Sequence, residues 1–206
     1  EKNINEHLKY LLSFTILILI VLLLVNQPDI GQTLLIISSW IVMVFVSGIN
    51  FVILILTGVL SVVFLGLVIY FFPSKFGYIP SRILSFLDSS KGDNFQSEKA
   101  LQAIKQGGLT GQGMGEGILK DKVPEAHSDY MIAVISEEFG VIFVLFIIAV
   151  FLFIGYKVLN KVFSVNDEFL KLALMGLISL LIIQTFIHIG VNTRLIPTTG
   201  MTLPFL

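Results

Sequence analysis

The sequence predicts an all-α, polytopic membrane protein: a transmembrane helical bundle of five spans with one large extracytoplasmic loop. Three observations carry this. Of 206 residues, 55% are hydrophobic and only 13% are Asp, Glu, Lys or Arg, about half the charged share of a soluble domain. The mean hydropathy is +0.94. The apolar residues gather into five runs that do not alternate with polar ones as barrel strands do, and helices satisfy their own backbone in lipid. A net charge of −1 gives no electrostatic case for nucleic acid, and the lack of cysteine excludes disulfides and thiolate metal sites.

The first run, Leu8 to Val25, suits a bilayer core of about 30 Å, which takes about 20 helical residues. No small-residue cleavage site follows it, so it reads as a span and not as a signal peptide. Gln27-Pro28-Asp29 then turns the chain tightly, with Asp29 suited to a turn or cap. The second run, Thr33 to Val46, is short for a crossing. The third is Phe51 to Phe72. The fourth, Met131 to Val158, is long enough to tilt, and the fifth is Phe169 to Val191.

Five crossings put 26–32, 73–130 and 193–206 on one face, and the N-terminus, 47–50 and 159–168 on the other. The second face carries Lys2, Lys9, Lys157, Lys161 and Lys171, whereas the short loops of the first carry only Arg194. The long loop balances seven basic residues against seven acids, and long loops obey the charge rule poorly. The long loop is therefore expected outside the cytoplasm.

Chemistry-bearing residues crowd toward that face. Asp129 stands at the start of the fourth span, where the positive end of the helix dipole favours its ionised form. Ser128 or Asp129 could simply cap the helix; an ionised Asp beside a substrate hydroxyl could instead act as general base. Glu137 and Glu138 lie about 10–14 Å along the same helix. Each needs a partner or a wet cavity, and bonding to neighbouring helix ends or to lysine is weighed against a direct chemical role.

Gly107 to Gly117, GGLTGQGMGEG, lacks the strand-and-helix setting of a dinucleotide motif. It reads as a tight surface loop whose amides could cradle a diphosphate. Gln184, His188 and Asn192 fall at i, i+4 and i+8, a stripe suited to helix-to-helix hydrogen bonding or, alternatively, a proton relay. IPTTGMTLPF, from Ile196, cannot be a continuous helix. Such broken backbone is tolerated where it lines a polar cavity.

Together, QPDIGQT from Gln27, SRILSFLD from Ser81, ALQAIKQGGLTGQGMGEG from Ala100, PEAHSDYMIAVISEEFG from Pro124 and IPTTGMTLPF from Ile196 resemble the SEDS family (FtsW/RodA/SpoVE) of bacterial division and elongation. Thr202-Leu203-Pro204 leans toward the division member. The resemblance implies that 1–206 is a partial SEDS membrane domain: five of ten helices, the fifth to the ninth, with 73–130 as the large extracytoplasmic loop. Glu1 in place of Met, and the stop at Leu206 after Pro-Phe, fit a segment of a longer protein. Against the family pattern, Phe95, Lys99-Ala100, His188 and Arg194 are departures.

What the resemblance further implies is a peptidoglycan glycosyltransferase that polymerises lipid II, the undecaprenyl-diphosphate disaccharide-pentapeptide, with Asp129 matching the essential loop aspartate. Arg82, Lys120, Lys122 and Arg194 are candidates to stabilise the leaving diphosphate, and a divalent cation is another; no cofactor is otherwise expected. Glu125, His127 and Ser128 are candidates to orient the sugar. Gln27, Asp29, Glu137, Glu138, Gln184 and His188 are read as structural polar groups. Expected partners are a class B penicillin-binding protein transpeptidase and other divisome membrane proteins. The expected location is the bacterial inner (cytoplasmic) membrane, at the division septum. The competing readings are a lipid II flippase, which would need a polar stripe through the membrane, and a non-catalytic scaffold.

Overall fold

The computed structural model describes residues 6–87, 95–118 and 128–205, and every regular element among them is an α-helix. In chain order these are α1 (Glu6–Asn26), α2 (Ile30–Val46), α3 (Phe51–Phe71), α4 (Pro73–Phe76), α5 (Tyr78–Leu87), α6 (Phe95–Gly107), α7 (Met131–Phe163) and α8 (Glu168–Asn192). Leu8–Asn26, Met131–Phe163 and Glu168–Asn192 are long and apolar enough to cross a membrane. Helix α2 has 17 residues, the short limit for a crossing, and α3 has 21. Together these make a multi-pass membrane protein. The apolar side chains left exposed along α1, α3 and α7 suit a lipid surround.

Among its described residues, the segment expected as a loop, 73–130, holds three helices, α4 to α6. Its Gly, Pro and charged residues mask two short amphipathic stretches from a reading tuned to long apolar runs.

The chain divides into two compact units. The first comprises the chain up to Tyr78 together with Val165–Leu180. Asp29 caps α2 by accepting from the Gln32 amide at 2.9 Å, worth about 1 kcal/mol. Small polar groups join its helices: Ser39 Oγ lies 2.7 Å from Ser179 Oγ, and the Trp40 indole donates to Ser13 Oγ at 2.7 Å. Tyr78 OH donates to the Val25 carbonyl at 2.9 Å. In lipid such bonds hold helices that hydrophobicity alone does not drive together.

The second unit, Ile79–Ser164 with Leu181–Leu206, carries the features of chemical interest. Ile132, Val144, Phe151 and Leu203 form its buried apolar core. Helix α6 buries a face of small residues, Ser97, Ala100, Ala103 and Gly107, and packs on α7. At Gly107 a methyl group would collide with the Ser136 carbonyl.

Helix α7 is not the single span expected. Gly140 takes φ 81 and ψ 168, which splits it into 131–139 and 141–163. The glycine-rich segment fills the break. The Gln112 and Gly113 amides donate to the Glu137 and Glu138 carbonyls at 2.9 and 3.1 Å, and the Val141 and Ile142 amides donate to the Gly108 and Leu109 carbonyls at 3.0 and 3.3 Å. The loop thus supplies partners that a continuous helix would have supplied to itself. Glu137 and Glu138 consequently lie in the short piece ahead of the break, not within the long apolar piece.

Candidate functional site

The entry to α7 is held by α8. Tyr130 occupies the N-cap position with φ −120 and ψ 28 and makes no side-chain capping bond. Asn192 does that work: its Oδ1 accepts from the Ala133 amide at 3.1 Å. Its Nδ2 donates to the Asp129 carbonyl at 3.0 Å and to the His188 carbonyl at 2.9 Å. The expectation that Ser128 or Asp129 stands at the cap is thereby corrected: Tyr130 holds that position, and the side chain that accepts from the Ala133 amide comes from another helix.

The other two members of the stripe grip the irregular strap at 196–205. With Nδ1 protonated, His188 donates to the Met201 carbonyl at 2.8 Å; its Nε2 is then left to face Asn192 Nδ2 at 3.4 Å. Gln184 Nε2 donates to the Thr202 carbonyl at 3.0 Å. His188 and Asn192 are both 0% exposed. Asn192 thus makes the helix-to-helix bond that the i, i+4, i+8 spacing suggested, to α7, while Gln184 and His188 reach strap carbonyls.

The strap passes beside the Asp129 carboxylate. Gly200 has φ +70, and a methyl group there would sit 3.6 Å from Asp129 Oδ2. Two residues earlier, the Thr198 carbonyl accepts from Arg82 Nη1 at 3.2 Å. Thr198 and Gly200 are at most about 7 Å apart along the chain, so Asp129 and Arg82 reach adjacent points of one strap. The Thr199 hydroxyl between them is buried and has no hydrogen-bond partner among the described residues.

Arg194 completes the cationic side. A cavity of about 240 Å³ is lined by Arg82, Arg194, Ser81, Ser85, Ser97 and Thr198, with Phe86 and Ile196 as its apolar wall. Arg194 Nη1 donates to Glu98 Oε1 at 3.2 Å. Its backbone sits at φ 57, left-handed, as α8 ends with the Leu195 and Ile196 amides returning to the Gly190 carbonyl at 2.7 and 3.0 Å. That conformation costs a non-glycine residue about 1–2 kcal/mol. Two guanidinium groups and three serines in one cavity make a place for a multiply charged anion.

The family described as "Cell cycle protein", FtsW/RodA/SpoVE, matches residues 1–206. The chain belongs to the FtsW/RodA/SpoVE family. It is 37% identical over 195 residues to a "Probable peptidoglycan glycosyltransferase FtsW" of Caulobacter vibrioides, covering 95% of this chain and 49% of that protein. It is 34% identical to "Stage V sporulation protein E" of Bacillus subtilis, over 90% of this chain and 50% of that protein. The chain thus spans about half the length of the curated relatives it matches. In fold it resembles a chain from a peptidoglycan synthase complex in which polymerization and crosslinking are coordinated, with TM-score 0.74 at 22% identity, covering 99% of this chain and 57% of that one.

Within this FtsW/RodA/SpoVE chain, the structure gathers Asp129, Arg82 and Arg194 around the strap. Ser128, next to Asp129, is half-buried. Glu125, His127, Lys120 and Lys122 lie outside the described residues. Glu137 is 0% exposed, and its carboxyl group lies against Gly117, where a methyl would come within 2.9 Å of Cδ. Glu138 Oε1 accepts from the Gly115 amide at 3.2 Å. Both carboxylates meet the glycine-rich segment. The same segment has its Gly111, Gln112, Gly113 and Gly115 amides committed to protein oxygens, which corrects the diphosphate-cradle reading. Asp29 and Gln27 belong to the first unit, in and beside the α2 cap.

Sequence reasoning missed the role of three participants. Glu98 pairs with Arg194 across 96 residues of chain, Thr198 takes Arg82 through its carbonyl, and Asn192 caps α7. Only Asn192 left a signal, its place in the polar stripe.

Proposed function

We propose that the chain forms the catalytic half of a peptidoglycan glycosyltransferase that polymerises lipid II into glycan strands for septal wall synthesis. The observation that carries this is the strap at 198–200, which sets the Asp129 carboxylate beside a cavity bearing Arg82 and Arg194. A carboxylate next to a paired-cation pocket is what glycosyl transfer from a diphosphate needs: a proton acceptor for the attacking hydroxyl and fixed positive charge for the leaving group.

In the reaction, a sugar hydroxyl of one lipid II attacks the anomeric carbon of the lipid-linked donor. The new C–O bond forms as the bond to the diphosphate breaks, Asp129 takes the hydroxyl proton, and the lipid diphosphate departs with its charge against the guanidinium groups. An ordinary carboxylate, with a reference pKa of about 3.9, is a weak base. Much of the acceleration therefore falls to placement, which the hold of Asn192 on the Asp129 carbonyl supplies. Among the described residues no three carboxylate or imidazole groups gather; Asp129 would hold a divalent ion, which would supply positive charge for the leaving diphosphate.

The curated relatives named peptidoglycan glycosyltransferase support this reading over a flippase. So does the burial of Glu137 and His188 in tight packing. A class B penicillin-binding protein is the partner that would crosslink the product, with other divisome proteins alongside, in the bacterial cytoplasmic membrane at the septum. The reading is tested by reconstituting the full-length protein in liposomes with lipid II. Glycan chains without net lipid II translocation are expected. Translocation without chain formation would overturn it.

A further inference from the structure

The first unit contains a separate cavity of about 530 Å³, where α1 begins, α2 ends and α8 begins. Of its lining, Lys9, Ser47 and Glu168 are exposed, whereas Trp40, Met43 and Leu172 are half-buried. Trp40 precedes Ser47 by seven residues on α2, about 10 Å further from the helix end. Charge therefore sits at the mouth and apolar surface lies beyond it, the profile of an amphiphile. The volume falls within the range of about 300–1,000 Å³ typical of small-molecule sites.

The wall's polar atoms are already occupied. Tyr10 OH donates to the Ser47 carbonyl at 3.3 Å, Ser47 Oγ donates to Tyr10 OH at 3.2 Å, and the Trp40 indole donates to Ser13. Lys9 and Glu168 differ from these. Both are exposed, and among the described residues neither forms an ion pair. Tyr and Trp at such a depth match the aromatic belt of a membrane boundary, and the lysine bias places this boundary at the cytoplasm.

We propose that this cavity binds an inner-leaflet phospholipid whose headgroup carries both a phosphate and a primary ammonium. The phosphate meets Lys9, the ammonium meets Glu168, and an acyl chain lies along Trp40, Met43 and Leu172. A purely anionic headgroup would set its charge against Glu168, and a purely cationic one against Lys9. One ligand bearing both charges satisfies both groups. At exposed positions such pairs give a modest gain, so the selectivity is about fivefold, not absolute.

Native mass spectrometry of the detergent-solubilised full-length protein, titrated with phosphatidylethanolamine or phosphatidylglycerol, tests this through the Kd of the first lipid bound. The wild type is expected to bind phosphatidylethanolamine about fivefold tighter. Glu168→Gln should remove that preference by improving phosphatidylglycerol binding, and Lys9→Gln should weaken both lipids. Soluble glycerophosphoethanolamine should not displace the lipid; displacement at equal concentration would overturn the acyl-chain contact. Equal affinity for the two lipids in the wild type, or variants that leave the ratio unchanged, would overturn the site. Lys9 and Glu168 lie outside the strap site, so retained glycan polymerisation shows that both variants are folded.

Discussion

Asn192 fixes Asp129 through the backbone, donating from Nδ2 to the Asp129 carbonyl at 3.0 Å while its Oδ1 accepts from the Ala133 amide at 3.1 Å. One buried amide side chain thus caps α7 and sets the residue from which the proposed base projects. Replacing it leaves the Ala133 amide with the Tyr130 carbonyl at 2.9 Å and takes one donor from the Asp129 carbonyl, at about 0.5–1.5 kcal/mol per bond lost. Asn192→Ala is therefore expected to lower both thermal stability in detergent and polymerisation rate. Asn192→Asp keeps the acceptor but loses the donor, and should recover part of the stability and less of the rate. An Asn192→Ala protein with unchanged melting and unchanged rate would remove this link.

Gly140→Ala tests the break in α7. The position needs φ 81, and a methyl group would collide with the Leu109 carbonyl. The backbone conformation alone costs about 1–2 kcal/mol, and the collision adds to it. The expected result is a lower melting temperature with faster protease cleavage in the glycine-rich segment. Wild-type melting would mean that the loop does not pack into the break.

Arg194 separates stability from function. At φ 57 it occupies a conformation that asparagine tolerates better. Its ion pair with Glu98 involves side chains 23% and 47% exposed and is worth under about 1 kcal/mol. Arg194→Asn should leave stability level or slightly higher, yet raise KM for lipid II by removing a cation from the pocket. Glu98→Gln should change stability little and keep the cation. Unchanged kinetics in Arg194→Asn would place Arg194 outside the substrate pocket.

Much of the helix layout was legible because lipid imposes long apolar runs. The expected Leu8 to Val25, Phe51 to Phe72 and Phe169 to Val191 match α1, α3 and α8 to within a few residues. The break at Gly140 was not, since a glycine inside an apolar run looks harmless until a second segment supplies the displaced hydrogen bonds. The signal was present in two places, at Gly107–Gly117 and after the paired glutamates, but nothing in linear order joins them. The site divides in the same way. The i, i+4, i+8 stripe announced a buried polar face; its partners were hidden because prolines 197 and 204 say only where a helix cannot run. Contacts such as Arg194 with Glu98, 96 residues apart, have no local signature at all.

The central claim is that Asp129 takes the proton, and the direct measurement is glycan-chain formation from purified lipid II by the full-length Asp129→Asn protein. The side chain keeps its size and loses its basicity, so polymerisation should fall by about 100- to 10,000-fold, with melting temperature and lipid II binding close to wild type. Polymerisation within a few-fold of the wild type by that variant would contradict the account.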